Sequence, residues 1–195
     1  MAEVELPNPE ELEEIKDKAF TRRVALVTAV FAVLLAITSL GGNNAMKEMI
    51  LAQQQASDQW AFYQAKVIRE HLYRGNKIRL ETDLAVMADT IGGDAREKLL
   101  SAIAALGDEE KRYKSEKGAI EQDARKFEHE RDVNRDKDPY FDYAEVLLQI
   151  AIVMASVSIL SSSRGIFVFS VAAALLGALL SVNGYLLLFR LPFMH

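Results

Sequence analysis

The sequence predicts an all-α integral membrane protein with three transmembrane helices. It also predicts a long extramembrane antiparallel helical hairpin with short helices at its tip. Three observations lead there. The windows 24–40, 144–161 and 166–189 hold 59 residues and one charge, Glu145, while the other 136 residues hold the remaining 50 charges. A water-soluble globule does not segregate its charges in this way, whereas a membrane protein with a polar extramembrane part does. The polar stretch 41–142 is poor in strand-like alternation and so reads as helix. Finally, the chain has no cysteine and a net charge of −5, which argues against a disulfide scaffold and against a sequence-independent nucleic-acid binder.

The spans follow from length. About 20 apolar residues cross the hydrocarbon core. Residues 166–189 meet that requirement, 143–161 are adequate, and 24–40 are short but flanked by Phe20 and Gly41-Gly42, which suit the interface. The first span is not expected to be a cleaved signal peptide. It is preceded by 23 residues rich in acid (Glu3, Glu5, Glu10, Glu11, Glu13, Glu14), where a signal peptide carries a short basic region. Lys16, Lys18, Arg22 and Arg23 precede span one and Arg164 follows span two, which places both ends in the cytoplasm and 41–142 in the periplasm. Arg125, Lys126, Arg131 and Arg135 dissent, but charges in long loops count little. Residues 161–165 form a tight turn. Tyr140, Phe141 and Tyr143 with Tyr185, Phe189 and Phe193 supply an interfacial aromatic belt on one side.

Within the polar region, Asn44 is expected to cap a helix ending at Gly75-Asn76, and Lys77 to Ile91 form a second that Gly92-Gly93 stop. Asp94 with Glu97 reads as a capping box for a third helix, ended by Gly107. Asp108 opens a long charged helix that Pro139 interrupts. The returning helix repeats Tyr113, Ile120, Phe127 and Asn134 every seven residues, a coiled-coil-like seam. The outgoing helix sets Met46, Met49, Ile50, Ala56, Trp60, Tyr63, Val67 and Leu72 on one broad side, which reads as packing. The tail 1–23 has Asn8 as cap and Pro9 at the first helical position. Its acidity disfavours a surface helix on anionic lipid, so it reads as a solvated helix leading into span one. Residues 190–195 form a short C-terminal tail.

The run Gln54-Gln55-Ala56-Ser57-Asp58-Gln59-Trp60-Ala61-Phe62-Tyr63-Gln64-Ala65-Lys66, continuing to Ile68, Glu70, His71, Leu72 and Tyr73, resembles the hallmark segment of an uncharacterised bacterial membrane-protein family, domain of unknown function 4337. The resemblance extends to the spans on either side. It implies a bacterial inner-membrane location and carries no activity, cofactor or catalytic residue.

Sites are sparse. No phosphate-binding loop, dinucleotide motif, nucleophile elbow or zinc-protease motif is present, so no enzyme and no cofactor is expected. His71 and His129 fall at different heights on the hairpin and share no metal. Asp132, Asn134, Asp136 and Asp138 resemble the start of a calcium loop, but Lys137 replaces the turn glycine and Tyr143 the bidentate Glu. The intramembrane polar residues Glu145, Gln149 and Asn183 are the functional candidates, with Glu145 and Asn183 at one depth and able to hydrogen-bond across the hairpin. Small residues recur at helical spacing: Ala25, Ala29, Ala32 and Ala36 in span one, Ala151 and Ala155 in span two, and Gly177, Ser181 and Gly184 in span three. Such faces drive helix association in lipid, which suggests a homo-oligomer. The reading is a non-enzymatic oligomeric scaffold with an envelope protein as partner. The rival is a channel or transport subunit lined by Glu145, Gln149 and Asn183.

Overall fold

A computed structural model describes residues 9–190, with side chains from Lys16 onward. It is all helix: α1 (Pro9–Val86), α2 (Gly93–Leu160) and α3 (Arg164–Leu186), with no strand among the described residues. Each helix contains a stretch long and apolar enough to cross a membrane. The expected cap Asn8, the aromatic Phe193 and the tail beyond Arg190 lie outside the described residues.

Several expected breaks are absent. α1 runs through Gly41-Gly42 and Gly75-Asn76, and α2 runs through Gly107 and Pro139, so there are no separate short helices at the tip. An interior glycine costs a helix only about 1 kcal/mol, which contacts along the helix readily outweigh. Pro139 deletes one backbone donor, but the next turn is held on both sides: Phe141 is buried and the Tyr140 hydroxyl donates to the Phe189 carbonyl at 3.0 Å. Only residues 87–92 interrupt the polar region. There Thr90 and Ile91 N–H both donate to Met87 O; the helix expected to run to Ile91 ends at Val86, and Gly93, expected to stop it, instead opens α2. α2 begins at Gly93, one residue before the expected cap, so Asp94 sits in the first turn beside the free N–H groups and favours the helix dipole there.

The chain divides into two compact units. One comprises the described parts of Met1–Glu48 and Val133–His195, the other Met49–Asp132. In the first unit, Val24 and Phe31 of α1 meet Leu148, Ala151 and Ala155 of α2 and Ala173 and Ala174 of α3 in one apolar core. Inward positions of α2 here fall every seven residues, at Asn134, Phe141, Leu148 and Ala155. This extends the repeat read from Tyr113 and Ile120. Large apolar residues also cover the outside of these helices: Leu26 is 63% exposed, Val153 59% and Leu179 66%. An apolar exterior on this scale needs an apolar solvent or partner.

In the second unit α1 and α2 run antiparallel. Gln53 and Trp60 meet Arg131 and Glu128, Lys66 and Glu70 meet Glu116 and Lys117, and Lys77 meets Glu110, so partner numbers fall along α2 as those of α1 rise. The inward face of α1 is narrower than its sequence suggested. Ala52, Ala56 and Glu70 are buried, whereas Met46 in the first unit and Ile50 and Leu72 in the second are exposed. The two-helix contact follows a seven-residue seam rather than a broad stripe.

The link between α2 and α3 is the expected tight turn, shortened because α3 already starts at Arg164. Ser162 takes φ 47°, a left-handed conformation that costs a side chain about 1 kcal/mol relative to glycine. Ser162→Gly should therefore raise the thermal midpoint of the detergent-solubilised protein, measured by circular dichroism. An unchanged or lower midpoint would show that the turn is not strained.

Candidate functional site

The three apolar segments and the polar contacts among them are the part of the molecule most able to carry function. Their assembly depends on small residues. A Cβ added at Gly177 would stand 3.1 Å from Ala144 O and 3.1 Å from Leu148 Cγ, and one at Gly184 would stand 3.1 Å from the Phe141 ring. Ser181 is buried beside them. These three predicted packing residues of α3 thus face α1 and α2 within one chain. The other predicted set behaves differently. Ala25, Ala29, Ala32 and Ala36 are all exposed, because α1 turns Val24, Phe31 and Thr38 inward instead.

The polar candidates are not brought together. Asn183 Nδ2 donates to Phe189 O at 2.8 Å, and its Oδ1 accepts from Phe189 N–H at 3.0 Å. α3 ends at Leu186 rather than 189. Leu187 adopts φ 47° and its N–H bonds Asn183 O at 2.7 Å. Asn183 therefore ends the helix and ties down the chain that follows, so the predicted bond to Glu145 is not made. Glu145 is half-buried near the start of its apolar stretch, and Gln149 points outward. No continuous polar line joins the three.

A polar pair that the sequence reading passed over does form. The hydroxyls of Thr38 and Ser181 share a buried hydrogen bond at 2.9 Å, with Thr38 Oγ1 also 2.9 Å from Leu34 O. Seven residues separate Thr38 from Phe31, and that inward spacing was the available signal. Thr38→Val should lower stability by about 1 kcal/mol. A double-mutant cycle with Ser181→Ala, read from detergent unfolding, should return most of that as coupling energy, and additive losses would show that the bond contributes nothing.

At the Tyr185 end of α3 the packing is aromatic. The Tyr185 hydroxyl donates to Ile37 O at 2.9 Å, and its ring meets Phe141 edge-on at 4.9 Å. Gly41 passes directly beneath these rings. A cleft of about 200 Å³ beside them is lined by Asn44, Glu48, Asn134 and Lys137. The calcium-like residues do not converge. Asp136 pairs with Arg190 at 3.2 Å, Asp132 pairs with Arg131, and Asn134 is buried. Burial, reinforced by Asp142, pushes the Asp138 carboxyl above its usual range. No cluster of three His, Asp or Glu able to hold a metal occurs among the described residues.

The second unit carries a ladder of charge pairs between its helices. Lys66 bonds Glu116, Lys117 donates to Glu70 at 2.5 Å, Lys77 pairs with Glu110 at 3.2 Å, and Trp60 Nε1 donates to Glu128 at 2.9 Å. Tyr73 stacks on Tyr113 at 5.4 Å. The Lys66 hydrogen bond holds the Glu116 carboxyl below its usual range, and Glu70 raises the Lys117 ammonium. Each group is turned to a partner on the facing helix, which describes a specified contact rather than a catalytic centre.

A family model described as domain of unknown function 4337 matches residues 20–187. Neither a curated protein nor a solved structure matches the chain.

Proposed function

We propose, from the premise that the chain belongs to the family described as domain of unknown function 4337, that it is a non-enzymatic scaffold of the bacterial inner membrane. In this reading the three apolar helical segments cross the bilayer, with the N-terminus in the cytoplasm. Residues 41–142 stand in the periplasm as a charged helical hairpin that engages an envelope protein. Copies of the chain assemble through span one. The observation that carries the reading is the outward Ala25, Ala29, Ala32, Ala36 face, since the small residues of span three are already used inside the chain. Small-residue faces allow close helix approach in lipid, where apolar burial gives no driving force. Gln149 adds support: an outward amide on an apolar helix is better matched to a second protein chain than to hydrocarbon.

The channel reading is weaker. Asn183 is occupied by the Phe189 backbone, and the midplane contacts of α3 are Ala173, Ala174 and Gly177. A conducting path needs polar groups through the midplane.

The experiment uses single cysteines, because the chain has none of its own. Ser115→Cys in intact cells should react with a membrane-impermeant maleimide, and reaction only after lysis would invert the topology. Ala32→Cys should form oxidised dimers in membranes, while Ala173→Cys, buried in its own chain, should not. If none of the four alanine positions cross-links, the assembly reading fails.

A further inference from the structure

Where α1 meets the start of α3, the bundle holds a cavity of about 420 Å³ whose lining includes Lys16, Phe20, Arg23, Arg164, Phe167 and Val168. We infer that this cavity binds the phosphate headgroup of an anionic phospholipid. The inference rests on the membrane reading above, and it goes further by assigning a ligand to a site.

Three cations from two separate helices converge on one cavity, and no carboxylate lines it among the described residues. None of the three has an ion-pair partner among the described residues, and all are exposed. The three positive charges therefore stand together at one opening without a protein counter-charge among the described residues. Two are arginines, whose planar guanidinium presents paired donors to phosphate oxygens. The floor is apolar, with Phe20 and Phe167 meeting edge-on at 5.9 Å. Val168, which lines the wall, is 66% exposed, and Phe169 beside it also faces out.

A free phosphate needs only the cations. The site offers more: a charged mouth above an aromatic floor, beside an apolar helix exterior that can carry acyl chains. An amphiphile uses all of it. The three cations also lie just outside the apolar stretches, at the depth where headgroups lie, and basic pockets between membrane helices recognise anionic headgroups.

The test uses the full chain in vesicles of mixed phosphatidylcholine and phosphatidylglycerol, extracted in mild detergent, with retained lipid counted by native mass spectrometry. The wild type should keep phosphatidylglycerol over phosphatidylcholine. Arg23→Gln and Arg164→Gln should each cut that retention about fivefold, the effect of one cation near a membrane surface. Ala19 also lines the cavity, so Ala19→Phe fills it without changing charge and should also reduce retention. Lys47→Gln, a cation outside the cavity, should not. Arg164→Lys should keep most of it, which separates lost binding from lost folding. Equal retention of both lipids, or no loss in the variants, overturns the proposal. So does complete displacement of phosphatidylglycerol by inorganic phosphate, which would make a soluble phosphate the ligand. Alkaline extraction of cell membranes is scored separately. If the protein washes off, the membrane reading fails whatever the lipid count.

Discussion

Gly41→Ala should destabilise the protein by about 1–2 kcal/mol, reversing the usual sign of that substitution. In an open helix interior alanine is favoured over glycine by about 1 kcal/mol. At Gly41 the added Cβ would stand 2.6 Å from Phe141 Cε1, 2.6 Å from the Tyr185 hydroxyl and 2.7 Å from Tyr185 Cζ. Those approaches are far inside van der Waals contact, so a ring must move. Phe141 is 2% exposed and rests on Gly184 and Gly42, which leaves it little room. Tyr185 is half exposed, but moving it breaks its bond to Ile37 O. Overpacking of this kind costs about 1–3 kcal/mol, enough to cancel the propensity gain and exceed it. Gly41→Leu should be far worse and should abolish the Phe141–Tyr185 contact. Gly75 and Gly118 supply the control, since a Cβ at either meets nothing within 4 Å. Gly75→Ala and Gly118→Ala should stabilise. Unfolding of the four variants in detergent, followed by circular dichroism, decides the matter. A stabilising Gly41→Ala would show that the three apolar helices are not this closely packed.

The same glycine marks a limit of sequence reasoning. Gly41-Gly42 read as interfacial residues between span one and a new helix capped by Asn44. In the structure Gly41 is a mid-helix contact point, and its partners lie 100 and 144 residues away. Periodicity within one segment cannot reveal a requirement set by another. The apolar segments themselves were legible, because charge segregation needs no knowledge of contacts. So was the seven-residue seam at Tyr113 and Ile120, which carries on to Phe141 and Leu148. Asn183 was misjudged for a physical reason. Its depth, counted back from the tight turn, needs the helix only as far as Asn183; the count could not reveal that α3 stops at Leu186 and that the Asn183 amide is taken by the Phe189 backbone. The cluster of Lys16, Arg23 and Arg164 was visible only as two separate votes on orientation, since the residues that form the cavity are more than 140 positions apart.

The charge ladder of the second unit should respond asymmetrically to mutation. Glu70 is 8% exposed and its carboxylate accepts from Lys117, so Lys117→Met leaves a nearly buried charge without that donor. The expected loss is about 1–2 kcal/mol. Removing both partners, Glu70→Leu with Lys117→Met, should recover most of it, because two apolar side chains of similar volume replace a desolvated pair. What the double variant should lose is register, because the ladder penalises any slip that sets like charges opposite each other. Trp60 is the only tryptophan and lies in this unit, hydrogen-bonded to Glu128, so its fluorescence reports this unit within the full chain. The pH response follows from the direction of each shift. Glu116 titrates lower when folded, so its contribution is complete above the usual carboxylate range and disappears as pH falls through its depressed value. Lys117 titrates higher when folded, so its contribution is complete below the usual lysine range and disappears as pH rises through its elevated value. Denaturant midpoints read from Trp60 should therefore be flat around neutrality and fall at both extremes. Lys117→Met should remove much of the alkaline fall and leave the acid fall in place. If both limbs survive unchanged in that variant, the facing charges do not hold the two helices together, and the aromatic stack of Tyr73 on Tyr113 must carry the contact instead.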